Sequence, residues 1–355
     1  MRALYFGIYD PNYARNWVLI NGLRANGVEV IELRRKPSRL NFIKLLFDYI
    51  KLKEKFDVMI VGFPGQEIMF LARIICRKPI IFDAFTSHYG GYILDRKKYS
   101  RDSLMAKYYR FLDKWSCKLA DLVLLDTQAH INFFLKEYNL SREKFRRIFV
   151  GVSGEIIMDY KSINNMQNKF KVLFFGTYIP LQGVEFIIRA AKILENEQDI
   201  IFNLIGNGQE REKIENLAKE LGLKNVIFQG MMSIEKLRQE VANADISLGI
   251  FGDSPKTSLV IPNKIYEALA VGKPIITADT QAIRELFDEN DMALIPPADE
   301  KSLAEAIVKL KNDPVLREKL AANGHRKFIN LLSYQILGKQ LKEELFRGST
   351  SKQEV

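Results

Sequence analysis

The chain is short of cysteine and histidine. Its 355 residues include two cysteines, Cys76 and Cys117, and three histidines, His88, His130 and His325. Two thiols set in helix-patterned stretches exclude a disulfide framework or cysteine-rich zinc site and fit burial in a reducing compartment. The histidines are scattered and make no ligand cluster, so no metal site is expected; His130 and His325 read as residues with surface roles. Long apolar runs are also missing, since none approaches the ~18 residues of a membrane-spanning helix. The opening run, Ala3 to Tyr9, soon meets Asp10. It is too short for a signal peptide and reads as a first strand, so a cytoplasmic location is expected. The loop that follows, Tyr9-Asp10-Pro11-Asn12-Tyr13, lacks G-x-G-x-x-G, which removes the dinucleotide fingerprint.

Positive charge is plentiful. A net charge of +10 calls for an anionic partner: nucleic acid, an anionic membrane surface or phosphorylated substrates. The basic residues are spread along the chain and no nucleic-acid motif is present, so nucleic acid is not expected. From Arg34 to Lys55, lysines and arginines mix with Leu40, Phe42, Ile43, Leu46, Phe47 and Ile50 as in a basic amphipathic helix. Two readings stay open there: a core-facing helix with a solvated basic face, or a contact with an anionic leaflet, where each base contributes about 1 kcal/mol.

The length exceeds what one hydrophobic core supports, so two domains are expected. Strand patterns at Ala3 to Tyr9, Val28 to Leu33, Val58 to Phe63, Pro79 to Ala84, Leu122 to Asp126 and Arg147 to Val150 alternate with helical ones, giving a first α/β domain over residues 1–153. Residues 154–170, rich in Asn, Lys, Ser and Gln, read as a linker. A second series over residues 171–331 has strands at Val172 to Phe175, Ile200 to Ile205, Val226 to Gln229, Ile246 to Ile250, Pro274 to Ala278 and Met292 to Ile295. The fold expected is α/β, two doubly wound Rossmann-like domains facing each other across a cleft that is the natural ligand site.

The stretch Val260 to Pro274 is the anchor of the chemistry. Pro262 suits a first helical turn, and Gly272 with Pro274 marks the stop. The N–H groups of Asn263, Lys264 and Ile265 then face any anion at that end, where the helix dipole and the Lys264 charge favour phosphate. One turn on, Glu267 lies on the same side and suits a ribose diol.

Gly176 and Gln182-Gly183 after a strand, Ile205-Gly206-Asn207-Gly208, Val226-Ile-Phe-Gln-Gly230, Ala244-Asp245-Ile246 and the Asn263 to Pro274 run stand in the order and spacing of one known family. The second half resembles the retaining GT-B glycosyltransferases of family 4 over about 160 residues; the first half resembles them more weakly, through its βαβ start and Lys118 to Thr127. The resemblance implies a C-terminal domain that binds a nucleotide-sugar donor and an N-terminal domain that binds the acceptor. It also implies transfer with retention, no resident metal or other cofactor, and a terminal helix, Ser333 to Phe346 within residues 332–355, that returns to the first domain ahead of a frayed tail from Gly348. No Asp-x-Asp occurs, so the diphosphate charge falls to helix ends and basic side chains.

Donor contacts are expected from Gly176, Thr177, Gln182, Gly183, Gly206, Gly208, Gln229, Asn263, Lys264, Ile265 and Glu267. Three positions depart from the family. Gln182 stands where a lysine is usual, with Thr177 or Tyr178 where an arginine is usual, and Leu259 stands where a glutamate pairs with the one matching Glu267. Lys264 is expected to supply the missing charge, with Asp253 or Lys256 in place of the missing glutamate. In the first domain His88 is the candidate for contact with the transferred sugar, or a loop-edge packing residue; Asp83 orients the acceptor hydroxyl or caps a loop. With Glu267, these two complete the expected catalytic set. The expected activity is sugar transfer to a lipid-linked or polysaccharide-precursor acceptor, on the inner face of the cell membrane if the basic helix docks there. A non-catalytic nucleotide-sugar-binding partner and a GT-B epimerase or phosphorylase are the alternatives.

Overall fold

The computed structural model describes residues 1–36, 41–154 and 169–350, with side chains through Phe346. Most of the expected linker, and the last five residues of the expected tail, lie outside these. The chain divides into two compact units, Met1–Gly154 with Leu331–Val355, and Glu155–Asn330.

The first unit runs β1 (Arg2–Ile8), α1 (Ala14–Ala25), β2 (Glu29–Arg35), α2 (Asn41–Lys51), β3 (Val58–Val61), α3 (Ile68–Ile75), β4 (Ile80–Phe85), α4 (Leu104–Leu119), β5 (Leu122–Leu125), α5 (Gln128–Tyr138) and β6 (Phe145–Arg147). All six strands are parallel, in the order β2-β1-β3-β4-β5-β6. Parallel sheets are covered on both faces, which is why β3 reads as an unbroken apolar run and β4 as one interrupted only by the buried Asp83. Leu45 of α2, Met69 of α3, Cys117 of α4 and Phe134 of α5 share one core with Phe6, Val61, Phe82 and Val123 of the sheet. Both thiols are buried and free.

The second unit runs β7 (Phe170–Phe175), α6 (Val184–Ile193), β8 (Ile200–Ile205), α7 (Arg211–Glu220), β9 (Val226–Gln229), α8 (Ile234–Asn243), β10 (Ile246–Leu248), α9 (Asn263–Ala270), β11 (Ile275–Ala278), α10 (Gln281–Arg284), β12 (Ala293–Ile295), α11 (Glu300–Asn312) and α12 (Pro314–Leu331), the last crossing the boundary. Its parallel sheet has the order β12-β11-β10-β7-β8-β9. The order reverses between β7 and β10, and the carboxyl ends of those two strands are where a doubly wound sheet takes a ligand. The chain ends in α13 (Tyr334–Thr350), which packs along α1 in the first unit. Gly348 therefore continues a helix that the expected fraying would have ended before it.

Two other expectations change. The β2 ladder holds as far as Arg35, which pairs in register with Ile8, so the expected basic helix opens as strand; α2 is its described part, and Leu40 lies outside the described residues. The strand expected at Arg147 to Val150 lies earlier, because β6 pairs with β5 through Phe145, Arg146 and Arg147. A π-helix at Gly90–Asp95 follows the His88 loop; nothing in the periodicity pointed to it.

Candidate functional site

Two loops meet beyond the switch point of the second sheet. One leaves β7 as Gly176 and ends at Gly183; the other leaves β10 and leads to α9. They are tied by Phe251 donating its N–H to the Gln182 carbonyl at 3.0 Å and Gly252 to that of Leu181 at 3.2 Å. The loop after β8 joins them through Gly206, whose backbone lies so close to Gly176 that a Cβ would overlap the Gly176 carbonyl. The close approach that Gly206 permits is thus of loop to loop.

The α9 helix has clear local causes at both ends. Pro262 is extended (φ −69°, ψ 147°) and is the N-cap, so the helix begins one residue later than a Pro262 in the first turn implies. Its carbonyl accepts the Ile265 N–H at 2.9 Å, which removes Ile265 from the donors facing an anion. Asn263 and Lys264 hold the first two N–H groups, which have no partner within a helix. At the other end Gly272 (φ +69°) donates to Leu269 and Lys273 donates to Ala268, a Schellman closure that needs a left-handed residue at 272.

Lys264 does not point into solvent. It is 6% exposed, and its Nζ donates to Gln182 Oε1 at 2.6 Å and lies 3.6 Å from the centre of the Phe174 ring. A Cβ built on Gly176 would meet Nζ at 3.1 Å and Gln182 Oε1 at 3.9 Å. Gly176, Gln182 and Lys264 therefore converge, although 82 residues separate the last two. Burial pushes the Lys264 amine well below the usual lysine range, against the pull of Glu267. Burial also raises the Glu267 carboxyl to about 7, opposed by Arg238 of α8 and by Lys264. Burial thus disfavours the charged form of each, and the opposite charge of the other partly offsets it.

The other expected donor residues take varied positions. Thr177 is exposed beside Gly176, and Gly183 is buried in the left-handed conformation that starts α6. Gly208 lies against the backbone of Tyr178. Gln229 donates its amide N–H to Asn203 at 3.0 Å, and its carbonyl accepts from the Gly206 N–H and from Arg211. Arg211 escaped the sequence reading: its guanidinium bonds the Gly206 and Gln229 carbonyls at 2.9 and 3.0 Å and lies over Tyr178 and Phe228. It fastens three strand-end loops together. Leu259 packs against Ile179, Leu181, Ile250 and Val260, while Asp253 is exposed.

In the first unit, His88 is partly buried between Tyr92 and Tyr109, with ring centroids 6.0 and 5.9 Å away. Its backbone N–H is held by Asp113 Oδ1 at 3.0 Å; the same carboxylate accepts from the Ser87 and Tyr138 hydroxyls and the Tyr89 N–H. Asp83 is fully buried, and both its oxygens are taken by the Arg15 guanidinium. Arg15 also bonds the Ile148 and Phe149 carbonyls. A carboxylate so engaged fastens β4 to the helix after β1, with no oxygen left over to orient a hydroxyl. His130 is buried, not a surface residue: its ring bonds Asp126 at 2.9 Å. The remaining histidine, His325, gives its ring nitrogen to the Leu269 carbonyl at 2.8 Å, close to the α9 terminus. Among the described residues no group of three metal-ligating side chains occurs, and no helix is long and apolar enough to cross a membrane.

Two parallel six-stranded sheets flanked by helices make a pair of Rossmann-like domains, the GT-B class of fold. Residues 158–327 match the family model of glycosyl transferases group 1. The lipopolysaccharide core biosynthesis glycosyltransferase LpsD of Rhizobium meliloti is 32% identical over 157 residues, 44% of this chain and 43% of that one. The phosphatidyl-myo-inositol mannosyltransferase of Mycobacterium leprae is 30% identical over 158 residues, 43% of this chain and 40% of that one. The chain thus spans less than half the length of these two relatives. Over nearly all of both chains, 98% and 100%, the fold is similar to that of Anabaena Alr3699/HepE in complex with UDP-glucose, with a TM-score of 0.72 and 18% identity.

Proposed function

We propose that this chain transfers a sugar from a nucleotide-diphosphate donor to a lipid-linked or polysaccharide-precursor acceptor, with retention at the anomeric carbon and without a resident metal. The observation that carries this reading is the seating of Lys264 on Gln182 beneath Gly176, at the first turn of α9. The family carries a lysine on the loop, and Lys264, which reaches Gln182 from the helix, is read as its substitute. A diphosphate there meets the Asn263 and Lys264 N–H groups, the helix dipole and one cation. Glu267, one turn along, takes the ribose diol.

The leaving diphosphate accepts the proton of the acceptor hydroxyl on the face it departs from, so the site needs stabilised oxyanions more than a strong base. His88, on its Asp113-held loop, contacts the transferred sugar. Asp83 is left out of the catalytic set because Arg15 occupies it. The names of the relatives that act on lipopolysaccharide core and on phosphatidyl-myo-inositol support a lipid-linked acceptor, and a cytoplasmic site facing the membrane fits that acceptor.

Thermal shifts with UDP-, GDP- and ADP-sugars identify the donor, because a ligand that binds only the native state raises stability with its affinity. Lys264→Ala is expected to weaken donor binding by roughly tenfold or more, the worth of one charge-assisted phosphate contact, and Gln182→Ala by much less. Equal small effects, or transfer that survives Glu267→Ala, overturn the reading.

A further inference from the structure

The outward side of the first unit carries more apolar surface than its fold uses. Along α4, Leu104, Tyr108, Phe111 and Trp115 are 82%, 42%, 48% and 42% exposed. At 3.6 residues per turn they share one stripe about 60° wide. The opposite side of the same helix, Ala106, Leu112, Asp113, Ser116 and Cys117, is buried. The stripe continues onto α3: Phe70 stacks on Phe111 with centroids 5.9 Å apart, and Ile74, one turn on, is 83% exposed. On α2, Ile43, Phe47 and Ile50 repeat the pattern at 57%, 57% and 68%. All three helices cover the same face of the sheet, because Leu45, Met69 and Cys117 join one core there. Their outward sides therefore look the same way.

Bases edge this surface, and the nearby carboxylates are engaged: Glu67 accepts from the Tyr108 hydroxyl at 3.2 Å, Glu137 pairs with Arg110 at 2.6 Å and Asp48 of α2 pairs with Arg35 at 2.6 Å. Lys107, Arg110, Lys114 and Lys118 lie on α4, and its only carboxylate, Asp113, is buried under the His88 loop. Lys118 Nζ sits 4.9 Å from the Trp115 ring centre. Scattered exposed apolar residues are ordinary, but an aromatic stripe edged by bases is not. A second copy docking on the same surface would set lysines against lysines. Phospholipid headgroups give the opposite charge and an interface that tryptophan and tyrosine favour.

We propose that the α3–α4 ridge, together with the outer side of α2, rests on an anionic lipid surface, with Phe111 and Trp115 entering the headgroup layer and Lys107, Lys114 and Lys118 meeting its phosphates. In one respect this rests on the proposed activity: Tyr109 and Asp113 on the inner side of α4 hold His88 and its loop, so an acceptor carried in the lipid meets the same helix that touches it. The surface itself is argued without that activity.

The chain has two tryptophans, Trp17 and Trp115, and Trp17 packs on Tyr334. In full-length protein with Trp17→Phe, vesicles of phosphatidylglycerol and phosphatidylcholine are expected to shift the Trp115 emission to the blue, whereas phosphatidylcholine alone does not. In sedimentation, Phe111→Ser with Trp115→Ser is expected to weaken binding to the mixed vesicles by roughly tenfold or more, as is Lys107→Glu with Lys114→Glu. Circular dichroism should show both pairs folded, since the side chains replaced lie at the surface. Three results each overturn the proposal: no vesicle binding by the unaltered chain, equal binding by the serine pair, or light scattering that shows a dimer which the serine pair dissolves. Donor thermal shifts in the same variants separate the two readings. A donor response that persists while vesicle binding falls supports the ridge, and vesicle binding without any donor response overturns the activity alone.

Discussion

Lys264 and Glu267 each sit where burial disfavours their charged form, and each supports the charge of the other. For Glu267 the consequence has a definite sign. An unfolded glutamate titrates near its usual 4.5, whereas in the fold the carboxyl is raised to about 7. Between those values the native state binds the extra proton, so stability falls as pH rises and levels off above pH 7. Glu267→Gln lacks this loss. The variant should match the unaltered chain near pH 4 and exceed it by about 3 kcal/mol at pH 8, since each pH unit that separates the folded from the unfolded titration is worth about 1.4 kcal/mol. Urea titrations at the two pH values check this, and a gain that is the same at both defeats it. The type of residue needed at the site was legible in the sequence, because Lys264 and Glu267 stand one helical turn apart beside a proline and ahead of a glycine. The sequence linked Lys264 to Gln182 as a substitute charge for a missing base, but no local pattern states that the two side chains, 82 residues apart, touch at 2.6 Å. Arg15 with Asp83, and Asp113 beneath His88, are long-range pairs of the same kind and left no signal in periodicity.

Helices and strands were easier to read than contacts, since parallel strands buried on both faces are plain apolar runs. Errors gathered where a ladder or a helix overrode composition: β2 extends through Arg34 and Arg35 despite their charge, and α13 runs through Gly348. The helix pair α1 and α13 shows what composition cannot supply. Gly22 and Gly338 face each other so closely that a Cβ on Gly22 would lie 2.8 Å from the Gly338 Cα, and one on Gly338 would overlap the Gly22 backbone. Around this contact Leu337, Leu341 and Leu345 are buried, and Lys342 bonds the Asn26 carbonyl at 2.7 Å. Gly338→Ala should then separate the helices and destabilise the first unit by about 1–3 kcal/mol, the usual cost of overpacking, although alanine is the better helix former. A chemical-denaturation midpoint that is unchanged or raised would show that the pair can spread without loss.

At the scale of the molecule, each unit has a core of its own. One gathers Phe6, Val61, Phe82 and Phe134; the other gathers Phe174, Phe202, Leu248 and Ile307. The α13 helix adds its leucines to the first unit, and the Lys264 site belongs wholly to the second. Two cores with no shared members are expected to melt as two cooperative units, in which case no single melting temperature describes the chain. The proposed donor binds native second unit and not its unfolded form, so it stabilises that unit by RT ln(1 + [L]/Kd), about 2.7 kcal/mol at a hundred times Kd. Calorimetry is expected to resolve two transitions, of which the donor sugar nucleotide moves one upward. Leu341→Ala assigns the other: it removes a fully buried side chain from the first unit, and should lower the transition that the donor leaves in place by about 2–5 kcal/mol in stability. If instead the donor and Leu341→Ala act on the same single transition, the two cores melt together, and the separation of donor chemistry in one unit from lipid contact in the other has no thermodynamic counterpart.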